Sequence, residues 1–496
     1  MSEKKVRIRL EPLSQEVEAT RGALLSSVLS QIGFEFPCGG TVQCGGCSVR
    51  VLGGWLPVTK QDAAVFRPAE LAEGWRLACQ ARADGPLVLE CGQWQMDVLT
   101  DGAAHKGGGK TGLGIAVDLG TTTIAAQLID LATGSVLAVE TMLNPQSGFG
   151  SDVMSRVRAS LDGADLTTVV RAALGQMIAR LAGRRAQDVA EVVLVGNTVM
   201  HHLFCGLDVG PLAGAPFDSP QLGEQRFDAG ELDWPLAHAC RVRFLRCLGG
   251  FVGSDILAGL VAVGIPNAEE LEALVDLGTN GEIAIGNRHG IVCASTAAGP
   301  AFEAGAIRMG MRAATGAISR VFREGSGMRV IVIGDVAPRG ICGSGLVDAV
   351  AVGFESGAIL ASGRIAGGTK VLPVSGPVLL YQADVRELQL AKAAIASGFR
   401  LLLKRLGKSA GDVRRTSLAG AFGNYVRVES ALAIGLLELP AERIHAAGNT
   451  ALHGAAMLLL SEGEPAMPEI EHVSLAADAG FQDEFVSCMT FPQREA

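Results

Sequence analysis

The chain has 496 residues, of which 48% are apolar and only 5% are aromatic, with 65 glycines and a formal net charge of -9. Such a composition argues against disorder, and the length suffices for two to four α/β-type domains with cores of their own. The acidic balance and the lack of a basic run argue against a nucleic-acid partner. We find no stretch of apolar residues long enough for a membrane span and no export signal, so we expect a cytoplasmic protein.

The first 99 residues read as a small α+β domain. Residues 4–11 alternate apolar and polar side chains, and residues 16–33 change from a strand-like pattern to helical periodicity. Two further strands, SVRVLGG and GPLVLE, follow a glycine-rich loop that carries cysteines. We therefore predict a β-hairpin, a helix and additional strands folded around that loop.

Four of the eleven cysteines lie in the first 80 residues, spaced as Cys38-x5-Cys44-x2-Cys47-x31-Cys79. Three local thiolates and one distant thiolate, with glycines between them, favour a [2Fe-2S] cluster, because the backbone can then approach the sulfurs. The plant-type ferredoxin spacing differs by one residue in its first gap. Structural zinc is the alternative, although zinc ribbons usually have two short knuckles. Cys91 is a second candidate for the fourth ligand, and the remaining cysteines read as buried free thiols.

A polar, glycine-rich segment at 100–113 is predicted to be a flexible linker with a reach of roughly 20 Å. Beyond it, residues 114–139 and 273–295 share one order of features: a buried strand, a DLGT turn, a second strand, a glycine turn and a third strand. We predict two duplicated lobes around a cleft within 114–496. Lobe one starts at 114 and lobe two at about 273, and a segment from about 445 returns to lobe one.

Each DLGT turn presents backbone N–H groups and hydroxyls that can hold phosphate oxygens, with an aspartate for Mg²⁺ or its waters. Two matched turns resemble those of the superfamily of actin, sugar kinases, acetate kinase and heat-shock chaperone ATPases. That resemblance implies an α/β actin-like ATPase with catalytic aspartates Asp118 and Asp276. It further implies ATP-binding residues in two phosphate motifs and one adenosine motif, namely Gly120, Thr121, Thr122, Thr123, Gly278, Thr279, Asn280, Gly281, Gly420, Ala421 and Gly423.

Several other residues invite a functional interpretation but have a structural one as well. His201 and His202 are adjacent near a helix edge, where such a pair is more often structural than catalytic. Asp152 and Arg156 are spaced for an i,i+4 salt bridge, with a role in the cleft as the alternative. Glycine-rich stretches at 340–350 and 448–456 open helices, where they either bind an anion or allow close packing.

The whole chain resembles the reductive activators of corrinoid proteins, which join a ferredoxin-like (β-grasp) [2Fe-2S] domain to an actin-like ATPase. The segments that carry this resemblance are the cysteine spacing, NPQSGFGSDVMSRV, VDLGTNGE, STAAGPAFEAG and GICGSGLVDAV. It implies ATP-dependent return of Co(II) to Co(I) in a corrinoid protein of a methyltransferase or demethylase system. A reduced ferredoxin or flavoprotein is the implied electron donor, and a homodimer is one of the oligomeric states left open.

Two other functions stay open from the sequence. A small-molecule kinase fused to a ferredoxin would need a general base in the cleft, for which the sequence offers no distinctive candidate. A non-catalytic module whose partner affinity responds to cluster state and ATP would show negligible ATP turnover. Family members often carry a longer linker and an intervening domain, whereas only fourteen residues separate the two parts here.

Overall fold

The structure is a computed structural model that describes residues 5–11, 15–29, 47–66, 68–91, 105, 109–150, 152–278, 280–325, 327–423, 425–463 and 465–492. Cys38, Cys44, Thr279 and most of the predicted linker lie outside the described residues. Among the residues that are described, no helix has both the length and the apolar character needed to cross a membrane.

The strands are β1 Lys5–Glu11, β2 Gln15–Thr20, β3 Ser48–Gly53, β4 Trp75–Leu77, β5 Leu87–Cys91, β6 Leu113–Leu119, β7 Thr123–Asp130, β8 Val136–Leu143, β9 Val189–Val195, β10 Gln225–Asp228, β11 Arg241–Phe244, β12 Glu272–Leu277, β13 Gly281–Asn287, β14 Gly290–Thr296, β15 Ala317–Glu324, β16 Gly327–Val332, β17 Gly340–Ile341, β18 Val371–Ser375, β19 Val378–Tyr381, β20 Arg415–Ala419, β21 Ile444–Ala446 and β22 Ile470–His472. The helices are α1 Leu25–Leu29, α2 Lys60–Val65, α3 Pro68–Ala72, α4 Val153–Leu161, α5 Leu166–Ala182, α6 Thr198–Cys205, α7 Ser254–Val263, α8 Gly343–Glu355, α9 Gln382–Arg405, α10 Gly420–Gly423, α11 Val428–Ala433, α12 Thr450–Leu460 and α13 Phe481–Ser487.

The chain divides into two compact units that are not continuous in sequence. The first unit consists of Met1–Asp97, Glu303–Ile359 and Arg364–Glu387. The second consists of Val98–Phe302, Leu360–Gly363 and Leu388–Ala496. The domain boundaries predicted from sequence stay a prediction, while the units show which segments pack together.

The first unit contains a five-stranded sheet in the order β2-β1-β5-β3-β4. Strand β1 pairs antiparallel with β2 and parallel with β5, and its alternating burial puts Val6, Ile8 and Leu10 into the core. Helix α1 buries Leu25 and Leu29 in the same core. A mixed sheet with one helix across it is the β-grasp arrangement, so the predicted ferredoxin-like fold is confirmed.

The rest of the first unit is built from β15, β16 and β17, the β18–β19 hairpin and helix α8. Twelve of the thirteen residues of α8 are buried, and the helix packs on β15. Its Asp348 accepts a hydrogen bond from the Val321 amide at 3.1 Å, which ties the helix to the sheet. This segment therefore has a small core of its own.

The second unit contains two six-stranded sheets with matching connections. The first has the order β10-β11-β9-β6-β7-β8, and the second has the order β21-β20-β12-β13-β14-β22. In each, an antiparallel meander of three strands continues into two parallel strands: β9 and β11 beside β6, β20 and β21 beside β12. The predicted duplication into two lobes is thus confirmed.

Helices α7 and α12 cross each other beside the two sheets and bring their backbones close together. A Cβ on Gly454 of α12 would collide with the backbone of Ala258 in α7, so glycine allows this close approach. Ala451, Ala455 and Leu459 of α12 pack in the same core as Ala116 of β6. The crossing therefore joins helices that follow different lobes.

Candidate functional site

The first phosphate turn, residues 120–122, joins β6 to β7 and is held by two asparagines. The amide of Asn144 donates to the Gly120 carbonyl at 2.9 Å, and the amide of Asn197 donates to the Thr121 hydroxyl at 2.9 Å. The Asn144 backbone N–H also donates to the Thr122 carbonyl at 2.8 Å. A turn fixed in this way presents its remaining N–H groups in a defined direction, as phosphate binding requires.

A third asparagine, Asn449, contacts β6 just before the turn, where its amide donates to an oxygen of Asp118 at 3.0 Å. Asn197 and Asn449 also cap α6 and α12 by accepting from the amides of Met200 and Leu452. Both stand in the tripeptide Gly-Asn-Thr, at 196–198 and 448–450, just after a strand. This second internal repeat is the sequence signal that could have identified the asparagines.

The second phosphate turn joins β12 to β13 beside the predicted adenosine motif. Gly278 donates through its N–H to the Asn280 carbonyl at 3.0 Å. Gly420 has φ +81°, and a Cβ there would lie 2.7 Å from the Leu277 carbonyl oxygen and collide with a carboxylate oxygen of Asp276. Only glycine satisfies both demands, so β20 can end against the second turn.

Four carboxylates converge between the two turns. Burial raises the pKa of Asp118 to about 6, opposed by its hydrogen bond from Asn449. Burial and the charge of Asp118 raise the pKa of Asp276 to about 7. The pKa values of Asp255 and Glu282 are also raised, by burial and by their acidic neighbours. Such a concentration of negative charge is unfavourable by itself and favours a bound cation.

Asp255 and Glu282 were not identified from the sequence. Asp255 lies in the first turn of α7, and Glu282 faces Asp276 across the β12–β13 ladder. The Ser295 hydroxyl on the next strand donates to Glu282 at 3.2 Å. Glu282 is the last residue of the VDLGTNGE segment, which was the sequence signal for it, whereas Asp255 stands in no recognised motif, so only tertiary packing brings Asp255 to the turns.

The described residues contain no group of three or more His, Cys, Asp or Glu side chains placed to hold a metal ion directly. Mg²⁺ usually keeps several waters and binds one or two carboxylates together with substrate phosphates.

The raised pKa values of Asp118 and Asp276 predict a pH-dependent stability for the nucleotide-free protein. Both groups bind protons more tightly in the folded chain than in the unfolded chain, where their pKa is about 4. The free energy of unfolding should therefore fall as the pH rises from about 4 through about 7, by on the order of 3 kcal/mol for each group, since one pKa unit corresponds to about 1.4 kcal/mol. Urea unfolding at about pH 5 and about pH 8 measures this fall, which should be smaller in Asp276→Asn. An equal fall in the variant would contradict the assignment.

Two of the four predicted cluster ligands lie among the described residues. Cys47 directly precedes β3 and Cys79 follows β4 by two residues, and the Ala78 N–H donates to the Cys47 carbonyl at 3.0 Å. Both side chains are buried, and the Gln80 amide lies 3.8 Å from the Cys79 sulfur. A donor beside a thiolate is the surrounding that an iron–sulfur cluster requires.

The structure also assigns roles to residues with two interpretations. His201 and His202 are fully buried, and the Ser219 hydroxyl lies 2.8 Å from the His202 ring. Burial lowers the pKa of His201 to about 4, as for a neutral core residue. Asp152 caps α4 by accepting from the Ser155 amide at 2.8 Å, and the buried Arg156 donates to the Gly150 carbonyl at 3.0 Å. Helix capping therefore replaces the i,i+4 salt bridge as the observed role of Asp152.

Known protein families match both the cysteine-containing domain and the two lobes that form the cleft. Residues 8–84 match the model of the 2Fe-2S iron-sulfur cluster binding domain, a range that includes Cys38, Cys44, Cys47 and Cys79 and ends before Cys91. Residues 113–268 match the RACo middle region, and 270–496 match the C-terminal ASKHA domain of RACo. A [2Fe-2S] domain is thus favoured over a zinc ribbon, and ATP binding over other uses of the cleft.

The corrinoid activation enzyme RamQ of Eubacterium limosum is 36% identical over 412 residues, covering 75% of this chain and 69% of that protein. The chain belongs to the family of reductive activators of corrinoid proteins. A methylated amine-specific Co(II) corrinoid protein reductase of Methanosarcina barkeri is 28% identical over 385 residues, covering 70% of each chain.

Among solved structures, a reductive activator for corrinoid, iron-sulfur protein superposes over 99% of both chains with a TM-score of 0.66 and 25% identity. The likeness extends over the whole length of the chain and is not limited to one domain. The RACo middle region begins at residue 113 and the ASKHA model at residue 270, close to the predicted starts of the two lobes.

Proposed function

We propose that this protein performs ATP-dependent reductive activation of a corrinoid protein, returning its cobalt from Co(II) to Co(I) with single electrons. The proposal rests on one observation: the same chain contains buried cysteines beside the paired strands β3 and β4 of the β-grasp domain and a duplicated pair of lobes that can bind a nucleotide. Relatives named as a corrinoid activation enzyme and as a Co(II) corrinoid protein reductase support it.

Cys38, Cys44, Cys47 and Cys79 are the proposed ligands of the [2Fe-2S] cluster. When bound, the cluster supplies one-electron transfer. The protein contributes a rigid pair of antiparallel strands beneath Cys47 and Cys79, because β3 and β4 pair next to them and the Leu77 amide donates to buried Asp62 at 2.8 Å. A fixed β3–β4 pair keeps the two thiolates at a constant separation.

The nucleotide is proposed to lie between the two turns, with its phosphates on the N–H groups of 120–123 and 278–281. Asp118 and Asp276 would then act on Mg²⁺ or its waters, and Gly420, Ala421 and Gly423 would contact the adenosine. Asp255 is the proposed base that orients the attacking water, because burial and its acidic neighbours raise its pKa toward neutrality. A nearby cation would lower all these pKa values and keep the carboxylates ionised.

ATP is needed because cobalt reduction can be uphill from the donor. For one electron, each ~59 mV costs about 1.4 kcal/mol. A nucleotide that contacts both lobes favours one relative arrangement of the lobes. A corrinoid partner that binds this arrangement more tightly therefore binds with a more favourable free energy when ATP is present. The close crossing of α7 and α12 is the proposed place where the lobes move by shear, since small residues there let the helices slide past each other.

The finer details of the partners are proposals as well. The corrinoid protein belongs to a methyltransferase or demethylase system, and a reduced ferredoxin or flavoprotein supplies the electrons. A homodimer and a cytoplasmic location complete the proposal. Eight of the described cysteines are in no disulfide bond, which is typical of a reducing compartment.

An optical assay of Co(II) to Co(I) conversion tests the function. The holo-protein is mixed with candidate corrinoid proteins and a strong reductant, with and without Mg·ATP. We expect Co(I) to accumulate only when the protein and Mg·ATP are both present. Phosphorylation of a sugar or carboxylate without cobalt reduction would instead support a kinase, and negligible ATP turnover with partner present would support a non-catalytic module.

A further inference from the structure

Arg339 forms an unusual contact within the first compact unit. It lies between β16 and β17, and its guanidinium carbon lies 3.4 Å from the centre of the Trp75 ring in β4. Its Nε lies 3.3 Å from a carboxylate oxygen of Glu70 in α3. One arginine of the 303–387 region thus contacts two elements of the iron–sulfur domain.

The three side chains are shielded from water. The Arg339 and Glu70 side chains are 15% and 11% exposed, and Trp75 is 8% exposed. Cation–π and ionic contacts are strongest in such surroundings, because little water competes with them. Buried Trp and Arg residues are also the usual energetic centres of protein interfaces.

Both sides of the contact are built to hold it. Arg339 donates its backbone N–H to the Gly316 carbonyl at 2.9 Å. A Cβ on Gly316 would lie only 2.7 Å from Arg339 Cδ, so glycine leaves room for the arginine stem. On the other side, the Arg76 guanidinium donates to the Leu71 carbonyl at 2.9 Å, which ties β4 to the helix that carries Glu70.

The contact of Arg339 with Trp75 lies at the end of the β3–β4 pair that is opposite to the cysteines. Trp75 pairs with Arg50, whereas Leu77 pairs with Ser48, the residue that follows Cys47. A contact at the Trp75 end therefore fixes the direction of the β3–β4 pair without occupying its cysteine end. This placement favours a positioning role over one that blocks access to the cluster.

We propose that Arg339 is a positioning residue that holds the iron–sulfur domain on the 303–387 region, so that electrons leave the domain in one fixed orientation. This inference rests on the proposed function for its electron-transfer consequence, but the contact itself does not. The sequence predicts a flexible linker at 100–113, which alone would leave the domain without a defined orientation. Arg339 supplies the second attachment.

Hydrogen–deuterium exchange on the holo-protein tests the attachment. In Arg339→Glu we expect faster exchange in 48–53, 75–77 and 333–341, and in the double variant Arg339→Glu/Glu70→Arg we expect partial recovery. Arg329→Glu is the matched control, because Arg329 lies over Phe322 of its own sheet at 4.7 Å. Unchanged exchange in Arg339→Glu would overturn the proposal even if the wild type reduced no cobalt.

The kinetic consequence is tested separately. In Arg339→Glu, reduction of the cluster by the donor, its midpoint potential and ATP turnover should match the wild type. Co(I) formation should fall about tenfold and recover with the charge swap, since a desolvated cation–π and ion-pair contact contributes about that factor. A faster rate of Co(I) formation in Arg339→Glu, or a changed midpoint potential of its cluster, would overturn the positioning role of Arg339. If the wild type itself forms no Co(I), the proposed function fails, and the exchange experiment still judges the contact.

Discussion

Cys79→Ala is expected to abolish the iron–sulfur centre and, with it, all cobalt reduction. Cys79 is the fourth thiolate in the predicted set and the only one distant from the glycine-rich loop. Its removal leaves a local trio that cannot complete a [2Fe-2S] ligand set. Anaerobic reconstitution followed by iron and sulfide analysis and electron paramagnetic resonance should show no cluster, and Co(I) formation should fall to background.

Two matched variants make this result specific. Cys91→Ala should retain the cluster, which separates the two candidates for the fourth ligand; Cys91 ends β5, opposite Val49. Cys205→Ser alters a thiol of the second compact unit, and burial raises the pKa of that thiol. This variant should therefore also retain the cluster. ATP turnover in Cys79→Ala should persist, because the nucleotide site belongs to the other compact unit. A coloured Cys79→Ala protein together with a colourless Cys91→Ala protein would reverse the ligand assignment.

The parts of this protein that the sequence predicts are those set by local pattern. The β-grasp strands, the cysteine spacing and both DLGT meanders follow from alternation, turn residues and glycine positions within short windows. Apolar residues at helical spacing over 388–407 indicate a long helix, and α9 covers most of that segment, from Gln382 to Arg405. Each of these features can be identified without knowing what packs against it.

The parts that the sequence did not predict depend on contacts between distant segments. Asn449 and Asp118 are 331 positions apart, and only the folded lobes bring the amide to the carboxylate. Asp255 stands in no recognised motif. The association of 303–387 with the first 97 residues cannot be inferred from composition, because both segments have ordinary α/β patterns. Local rules therefore predict the two phosphate turns but not the residues that support them.

Asp276→Asn is expected to lower ATP turnover by about 10²- to 10³-fold, the usual cost of removing one preorganised electrostatic group. The amide has the shape of the carboxylate but carries no charge for Mg²⁺ or its waters. Phosphate release with saturating Mg·ATP and partner measures the effect. Asp483→Asn, an exposed aspartate of the same unit, is the control and should match the wild type. Turnover within about threefold of the wild type would contradict a catalytic role for Asp276.

The stability of the same variant distinguishes lost chemistry from lost folding. Asp276 is ionised at a cost when no cation is bound, because burial and Asp118 raise its pKa to about 7. Above that pH the nucleotide-free Asp276→Asn protein should therefore be more resistant to urea than the wild type, although it hydrolyses far less ATP. A residue that lowers stability and is required for turnover is typical of an active site. Its cluster spectrum should be intact, so only the ATP-dependent part of cobalt reduction should disappear.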